Sequence, residues 1–381
     1  MVAEVEALVG GVDDDRVLGQ ARLVKVVEHA AHVFIDRGDD GRAYILGEAD
    51  FAGRGGLRVR GSSTAGAAKH QYAFETWDEN DRDKDVSLLG FPADGDWILY
   101  APLVYDRALI NNALAYELSN QVGRYAVRTR FCEMYLNKND ATVSSNDYVG
   151  LYIFMERITQ GPQRVDVEEL HAWDSTEPKL SGGYMLSIDR TSSGSTFHTA
   201  HGTPHGGTFN HLYPQDKDIT AAQRDWIRAF LDEFEDALYG PNFADPLHGY
   251  AKYIDVDSFI DHNLINMLPM NVDAFRLSGY MFKKRGRKLE LGPVWDYDRA
   301  MESTDGRDNN PQSWNGTGDR ATLSHADFTE NTTYTFTVVS AEDMAGNPLD
   351  TANGTANPFT FTTAGVPPFI VSTAPSDGAV D

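Results

Sequence analysis

Two hydrophobic periods follow one another along the chain, and their order is what most constrains its fold. Between residues 20 and 60, short runs such as 21–27 and 32–35 alternate apolar and polar positions between turns rich in Gly and Asp, which predicts antiparallel strands. Helical spacing appears first at residues 106–123 and again after residue 220. Further strands are predicted at residues 43–46, 57–60, 70–77, 126–136, 148–156 and 183–189. Strands first and helices later favour an α+β body.

Two helices are predicted in the second half of the chain. Thr220 and Gln223 form a capping box, aromatic residues then recur at spacing four, and Gly240 ends this helix. A second helix is predicted over residues 257–268, because Pro269 cannot continue it. A strand, a basic turn and another strand follow over residues 279–295.

The composition of the chain changes at about Ala321. Runs rich in Thr alternate with aromatic residues at 331–339 and 359–363, and residues 343–349 read as a turn between them. This pattern is typical of β-sandwich strands, which expose Thr on one face and bury aromatic rings on the other. The sequence therefore predicts a mixed helix-and-sheet body to about residue 320 and an all-β tail.

Charge and composition exclude several functional classes. The chain has 381 residues, of which 41% are hydrophobic, so it can bury a sizeable core. Its net charge is −24, which argues against the basic surface that nucleic-acid binding needs. No apolar run approaches the roughly 18 residues of a membrane span. Cys132 is the only cysteine, which excludes a disulfide framework. We therefore predict neither a nucleic-acid partner nor membrane insertion.

Three carboxylates are candidates for chemistry. Asp296 and Asp298 come directly after a predicted strand, and two carboxylates at this spacing can hold a hard cation such as Mg²⁺. A solvated strand end is the alternative. Asp273 lies 23 positions before Asp296, just after the helix that Pro269 ends. A loop Asp before a hairpin and another after it fit phosphoryl transfer, in which one orients a hydroxyl and the other holds Mg²⁺.

The first half of the chain supplies matching cationic groups. Residues 58–66 form a turn of small residues whose N–H groups, with the guanidinium of Arg60, can contact a phosphate. Lys69 follows at the start of the next strand, where its ammonium could reach the α- and β-phosphates, and either Glu117 or Glu156 could orient it. An ordinary hairpin with solvated charges is the alternative interpretation.

Other catalytic motifs receive little support. The chain has no Walker-type phosphate loop, no HRD or DFG string of ordinary kinases and no HExxH string. The loop over residues 191–211 could bind a transition metal. Its four histidines are His198, His201, His205 and His211.

Eight ordered strings carry a resemblance to a known family. They are LRVRGSS (57–63), KHQYAFE (69–75), DWILYAP (96–102), YVGLYIFME (148–156), SGGY (181–184), DVDSFI (255–260), NVD (271–273) and GPVWDYD (292–298). Residues 20–318 resemble the spore-coat kinase (CotH) family of atypical protein kinases. The resemblance implies a divergent, two-lobed protein-kinase-like fold that binds ATP with Mg²⁺ or Mn²⁺. It also implies phosphorylation of Ser or Thr on secreted or cell-surface proteins.

The resemblance also implies a role for each candidate residue. Asp273 and Lys69 would be catalytic, and Asp296 and Asp298 would bind the metal. The implied nucleotide contacts are Arg60, Gly61, Ser62, Ser63, Lys69 and Glu156. Ser278 stands where many kinases have a second metal-binding Asn, so a second metal is not expected.

The tail resembles a bacterial Ig-like module of the SbsA type. Residues 322–366 match its second half, and residues 367–381 match the start of a further repeat. Such modules favour a secreted or cell-surface location. We also expect the kinase-like domain, residues 20–318, to lack the C-terminal helices of its family. Two rival functions remain open at this point, an inactive kinase-like scaffold or adhesion protein and a metal-dependent hydrolase built around Asp296 and Asp298.

Overall fold

A computed structural model describes residues 22–25, 31–36, 49–62, 64–137, 144–191, 194, 196–203 and 207–309, together with strands at 333–336, 359–363 and 370–375. The chain divides into two compact units, residues 1–317 and 318–381. Among the described residues, no helix combines the length and the apolar character that crossing a membrane requires.

Seven of the described strands form one sheet that closes on itself. In spatial order they are β1 (Arg22–Lys25), β2 (Ala31–Asp36), β3 (Ala49–Arg60), β4 (Gln71–Trp77), β5 (Asp96–Tyr100), β7 (Tyr148–Glu156) and β6 (Thr129–Tyr135). Neighbours are antiparallel except β1 and β6, which run parallel. The predicted strands of the first half are confirmed, except that 57–60 is the end of the longer β3 and 43–46 lies outside the described residues.

Aromatic side chains fill the closed sheet. Trp97 and Phe154 stack with ring centroids 5.0 Å apart, and both are fully buried. Phe91 stacks on Trp97 at 6.1 Å. These rings meet because alternate residues of a strand point to the same face of the sheet. Cys132 lies in the same core, where burial raises the pKa of its thiol to about 12.

The helix α1 (Asn111–Gln121) is shorter than the predicted 106–123. Leu109 has a φ of 62°, which a right-handed helix cannot contain. The carboxylate of Asp106 instead accepts a hydrogen bond of 2.8 Å from the backbone N–H of Asn111 and so satisfies the start of the helix. Ala115 and Tyr116 pack with Ile98, Ile153 and Val294, which joins α1 to the closed sheet and to the region after residue 290.

A second sheet carries the later part of the larger unit. Its order is β12 (Leu289–Leu291), β11 (Gly279–Lys283), β8 (Tyr184–Asp189), β10 (Thr208–Tyr213) and β9 (Thr196–Phe197). All neighbouring pairs are antiparallel. The prediction that the last strand continues to residue 295 is wrong. Gly292 has a φ of 130°, and Pro293 has no N–H to donate to a neighbouring strand, so the strand ends at Leu291.

Two helices pack on the second sheet. Helix α2 (Ala221–Tyr239) begins with the predicted capping box: the Thr220 hydroxyl accepts from Gln223 N–H, and the Gln223 side chain accepts from Thr220 N–H at 2.9 Å. Helix α3 (Val256–Met267) begins one residue before the predicted start, because Asp255 caps it with a hydrogen bond of 2.8 Å from Ser258 N–H. Ile227 and Leu231 of α2 are buried in the core beneath this sheet.

The smaller unit contains a three-stranded antiparallel sheet of β13 (Thr333–Phe336), β14 (Phe359–Thr363) and β15 (Ile370–Pro375). β15 falls in the segment predicted to begin a further repeat, and it pairs with β14. The turn predicted at residues 343–349 lies outside the described residues. The Ig-like module stays a prediction. The described part of the chain confirms a fold that mixes helices with curled antiparallel sheets, and the two-lobed kinase-like arrangement stays a prediction.

Candidate active site

One pocket of about 400 Å³ collects segments that are distant in the sequence. Six predicted site residues line it: Arg60, Gly61, Ser62, Asp273, Asp296 and Asp298. They come from the turn between β3 and β4, the segment after α3 and the segment after β12. Ser63, predicted in the same turn, lies outside the described residues. The structure therefore brings the predicted catalytic Asp, both predicted metal ligands and part of the predicted nucleotide turn to one place.

Helix α1 holds the segment that carries Asp296. The backbone N–H of Asp296 donates to the hydroxyl of Tyr116 at 3.3 Å, and the next N–H, of Tyr297, donates to Asn112 Oδ1 at 2.6 Å. Trp295 stacks on the ring of Tyr116 with centroids 5.6 Å apart. Asp296 has a φ of 67°, a conformation that costs free energy in a non-Gly residue and persists only where its surroundings fix it. These contacts with α1 supply that restraint.

The two carboxylates of this segment lie in an unfavourable electrostatic environment. Burial raises the pKa of Asp296, and the negative charge of Asp273 raises it further, whereas the Ser278 hydroxyl, which donates to Asp296 Oδ2 at 3.2 Å, and Arg60 act in the opposite direction. Burial also raises the pKa of Asp298, with a further contribution from Asp296. Binding of a cation that neutralised these two carboxylates would therefore be favourable in the pocket.

Asp273 is fixed by cationic neighbours. It forms an ion pair with Arg276 Nη2, and Arg299 Nε lies 4.0 Å from its other oxygen. Its backbone N–H donates to Asn271 Oδ1 at 3.2 Å, and Asn271 donates in turn to Asn266 at the end of α3. The Asp273 side chain is 11% exposed and lines the pocket, so its carboxylate can accept a hydrogen bond from a hydroxyl bound there.

The turn after β3 presents a cation to the same pocket. The guanidinium of Arg60 lies 5.9 Å from the centroid of the Trp295 ring and donates a long hydrogen bond of 3.4 Å to Gln71. Gly61 has a φ of 111°, and a Cβ there would lie 2.5 Å from the Thr64 hydroxyl oxygen, so the tight turn requires glycine. Arg60 thus stands in the pocket with donor capacity left for an anion.

Lys69 lies elsewhere. Its ammonium donates to the backbone carbonyl of Leu151 and lies 4.6 Å above the ring of Tyr152, and Lys69 does not line the pocket. Burial lowers the pKa of Lys69. The cation that the structure brings to Asp296 is Arg60, and the predicted role of Lys69 stays a prediction.

Neither predicted glutamate pairs with Lys69. Glu156 is fully buried and forms ion pairs with Arg128 at 2.6 Å and Arg164 at 3.0 Å. Glu117 is exposed on α1 and accepts a hydrogen bond from Gln121 one turn later. Glu156 pairs with these two arginines because the end of β7 faces them.

Metal-binding groups of three side chains are absent from the part of the chain that the structure describes, whether formed by His, Cys, Asp or Glu. In the predicted histidine loop, His201 pairs with Asp236 at 2.8 Å, and His205 lies outside the described residues. A pair of carboxylates is nevertheless a sufficient protein contribution for Mg²⁺, which commonly completes its shell with phosphate oxygens and water.

Sequence reasoning missed the residues that hold Asp296 in place. Asn112 and Tyr116 are 2% and 1% exposed, and their spacing of four puts them on one face of α1. That spacing was visible in the sequence, but a polar helix face is more often solvated than buried. Asp189 and Arg190, at the end of β8, also line the pocket and were not predicted.

Comparison with known families agrees with this arrangement. The family model described as CotH kinase protein matches residues 57–335. The match includes every pocket residue named above and continues into the smaller unit, past the predicted domain end at 318. No match is found among curated proteins. Because the match covers well over half of the chain, the chain belongs to the CotH kinase protein family.

Proposed function

We propose that this protein transfers a phosphoryl group from ATP to a Ser or Thr hydroxyl of a protein substrate. The observation that carries the proposal is the pocket in which Asp273, Asp296, Asp298 and Arg60 meet. Phosphoryl transfer needs a carboxylate to orient the attacking hydroxyl and positive charge on the phosphates. The secreted or cell-surface location of both enzyme and substrate is part of the same proposal.

The donor chemistry of the pocket fits a divalent cation. Asp296 and Asp298 offer hard carboxylate oxygens; burial raises the pKa of both, and the negative charges of neighbouring carboxylates raise it further. These two residues would hold Mg²⁺ or Mn²⁺. The metal, when bound, neutralises negative charge on the phosphates.

The other pocket residues have distinct tasks in this proposal. Arg60 and the N–H groups around Gly61 and Ser62 bind phosphate oxygens, because a guanidinium and backbone N–H groups both donate to anions. Asp273, held by Arg276 and Arg299, accepts the hydrogen bond of the substrate hydroxyl and receives its proton. Tyr116 and Asn112 keep the Asp296 segment in position.

A catalytically inactive scaffold or adhesion protein is the second candidate. Two observations favour it: Lys69 does not line the pocket, and Ser278 occupies the position of a second metal-binding Asn. A hydrolase centred on Asp296 and Asp298 would use the same carboxylates but transfer phosphate to water.

Autophosphorylation with labelled ATP separates these functions. The full chain should incorporate phosphate with Mg²⁺ or Mn²⁺ and lose incorporation on metal chelation. Asp273→Asn and Asp296→Asn should each reduce incorporation by at least about 10²-fold, whereas Asp225→Asn, exposed on α2, should leave it unchanged. Incorporation that survives both pocket substitutions contradicts the assigned roles. Release of free phosphate without incorporation supports the hydrolase, and neither activity supports the scaffold.

A further inference from the structure

Helices α1 and α3, each with the residue that directly follows it, expose large apolar side chains to solvent. These side chains recur at spacings of three or four, which places them on one face of each helix. Each residue is between 38% and 82% exposed. The seven residues are Leu114, Leu118, Val122, Ile260, Leu264, Met267 and Leu268. We call this set the outer apolar face.

The two helices lie side by side, so the outer apolar face is continuous across them. Arg124, just after the end of α1, pairs with Asp261 of α3 at 2.6 Å. Ile265 of α3 packs against the cluster that joins α1 to the closed sheet. Asp261 and Ile265 therefore mark the side of α3 that faces α1. Leu264 and Leu268 follow them by three residues each and so adjoin the same side.

The charges along the two helices favour a protein partner over a lipid surface. Neither α1 nor α3 contains a lysine or an arginine. The acids Glu117 and Asp257 are exposed beside the outer apolar face, and the chain carries a net charge of −24. Amphipathic helices that bind membranes are usually rich in Lys and Arg on their polar face.

The apolar area matches one side of a dimer interface. Seven side chains of this size and exposure present roughly 500 Å² of apolar surface. A standard interface buries about 800 Å² on each partner, and about 65% of a homodimer interface is apolar, which is about 500 Å². Because contact of apolar surface with water is unfavourable, a continuous face of this size marks an interaction site.

We propose that the outer apolar face is the interface of a homodimer, in which it packs on the same face of a second copy of this chain. A two-fold axis brings identical surfaces together, and the two helices of each copy then form a layered set of four. Asn112 and Tyr116, which hold the Asp296 segment, lie on the buried face of α1. The interface therefore leaves the catalytic pocket free.

Sedimentation equilibrium of the full chain tests the proposal and should show a monomer in equilibrium with a dimer. Because the acids Glu117 and Asp257 of the two copies repel one another, raising the salt concentration from about 0.05 M to about 0.5 M should tighten dimerisation by several-fold. A chain that stays monomeric at every concentration overturns the proposal, whether another segment or another partner covers the face. A dimer that weakens with salt is held by ion pairs and also overturns it.

Matched variants locate the interface. Leu264→Glu places a charge in the apolar contact and should weaken dimerisation by at least about tenfold. Leu247→Glu introduces the same charge at a residue that is 73% exposed after α2, and should change dimerisation by less than about twofold. Leu118→Glu, on the neighbouring helix, should repeat the effect of Leu264→Glu. Both positions are half-exposed in the single chain, so both variants should unfold as cooperatively as the parent protein. A dimer that persists in both contradicts the proposal.

Discussion

Glu156 at the end of the closed sheet is a fully buried carboxylate, and Asp296 in the pocket beside Asp273 is a half-buried one. Glu156 is surrounded by donors: two arginines, the backbone N–H of Arg128 at 2.9 Å and the hydroxyl of Tyr125 at 3.3 Å. Among the residues that the structure describes, Ser278 donates the side-chain hydrogen bond that Asp296 receives, and Asp273 lies close enough for repulsion to raise the pKa of Asp296. The protein itself satisfies the first carboxylate, whereas the second retains the capacity to bind a ligand. This difference distinguishes a carboxylate that is paired within the protein from one that is available to a ligand.

Removing the charge of Glu156 should have the largest effect on stability. Glu156→Gln leaves Arg128 and Arg164 partly unpaired, and breaking a buried ion pair from one side costs about 3–5 kcal/mol. Glu117→Gln, on the exposed face of α1, should change the free energy of unfolding by less than about 0.5 kcal/mol. Both values come from urea denaturation. A loss of under about 1 kcal/mol for Glu156→Gln would remove the contrast between the two carboxylates.

His262 extends the comparison to a buried group whose Nδ1 has no hydrogen-bond partner in the described part of the chain. Burial lowers the pKa of His262 from 6.5 to about 4. Between pH 6.5 and pH 4 the unfolded chain binds a proton at His262 that the folded chain does not bind. Protonation therefore favours the unfolded chain, and the free energy of unfolding falls as the pH is lowered from 6.5 to 4. A difference of about 2.5 pKa units corresponds to about 3 kcal/mol.

The measurement is the free energy of unfolding of His262→Gln against pH. The variant should lose about 3 kcal/mol less than the parent protein between pH 6.5 and pH 4. His248→Gln, at an exposed position, should follow the parent. Parallel curves for the parent and His262→Gln would mean that this imidazole protonates in the folded state without cost.

The two cations that flank the turn after β3 should differ in their effect on catalysis. Arg60 lines the pocket and can bind a phosphate, whereas Lys69 is held by Leu151 and Tyr152. Arg60→Gln should therefore reduce phosphoryl transfer by about 10²-fold, and Lys69→Gln by less than about threefold once both are corrected for folded fraction. Initial rates of phosphate incorporation give both numbers. The reverse order would show that Lys69 moves into the pocket when nucleotide binds.

Asp296→Asn should have a smaller effect on stability than Glu156→Gln, and of the opposite sign. Removing a charge that burial and Asp273 both disfavour should raise the free energy of unfolding by up to about 1 kcal/mol, while activity is lost. The same denaturation series measures it in metal-free buffer. Destabilisation of more than about 1 kcal/mol would indicate that Asp296 is held by the protein in the way that Glu156 is.

Local rules were enough for part of this fold. Thr220 and Gln223 predicted the start of α2 because a capping box involves only neighbours three residues apart. The strand predicted at residues 148–156 has the observed bounds of β7, Tyr148–Glu156. The start of α1 could not be predicted in this way, because the left-handed conformation of Leu109 carries no signal in its apolar side chain.

The candidate site also contains features that the sequence predicts and features that depend on long-range packing. Asp273, Asp296 and Asp298 were visible in the sequence by residue type, spacing and motif. The partners of a charged residue depend on which strand face it occupies and on what distant segment faces it, and no spacing rule contains that information. Tyr297 is held by Asn112 across 185 positions, and Glu156 is taken by Arg128 and Arg164 rather than by Lys69. The sequence by itself determined most strands of the closed sheet, the helix start at Thr220 and the three carboxylates. Only the tertiary structure decided that Arg60 joins those carboxylates in the pocket, because that proximity depends on long-range packing.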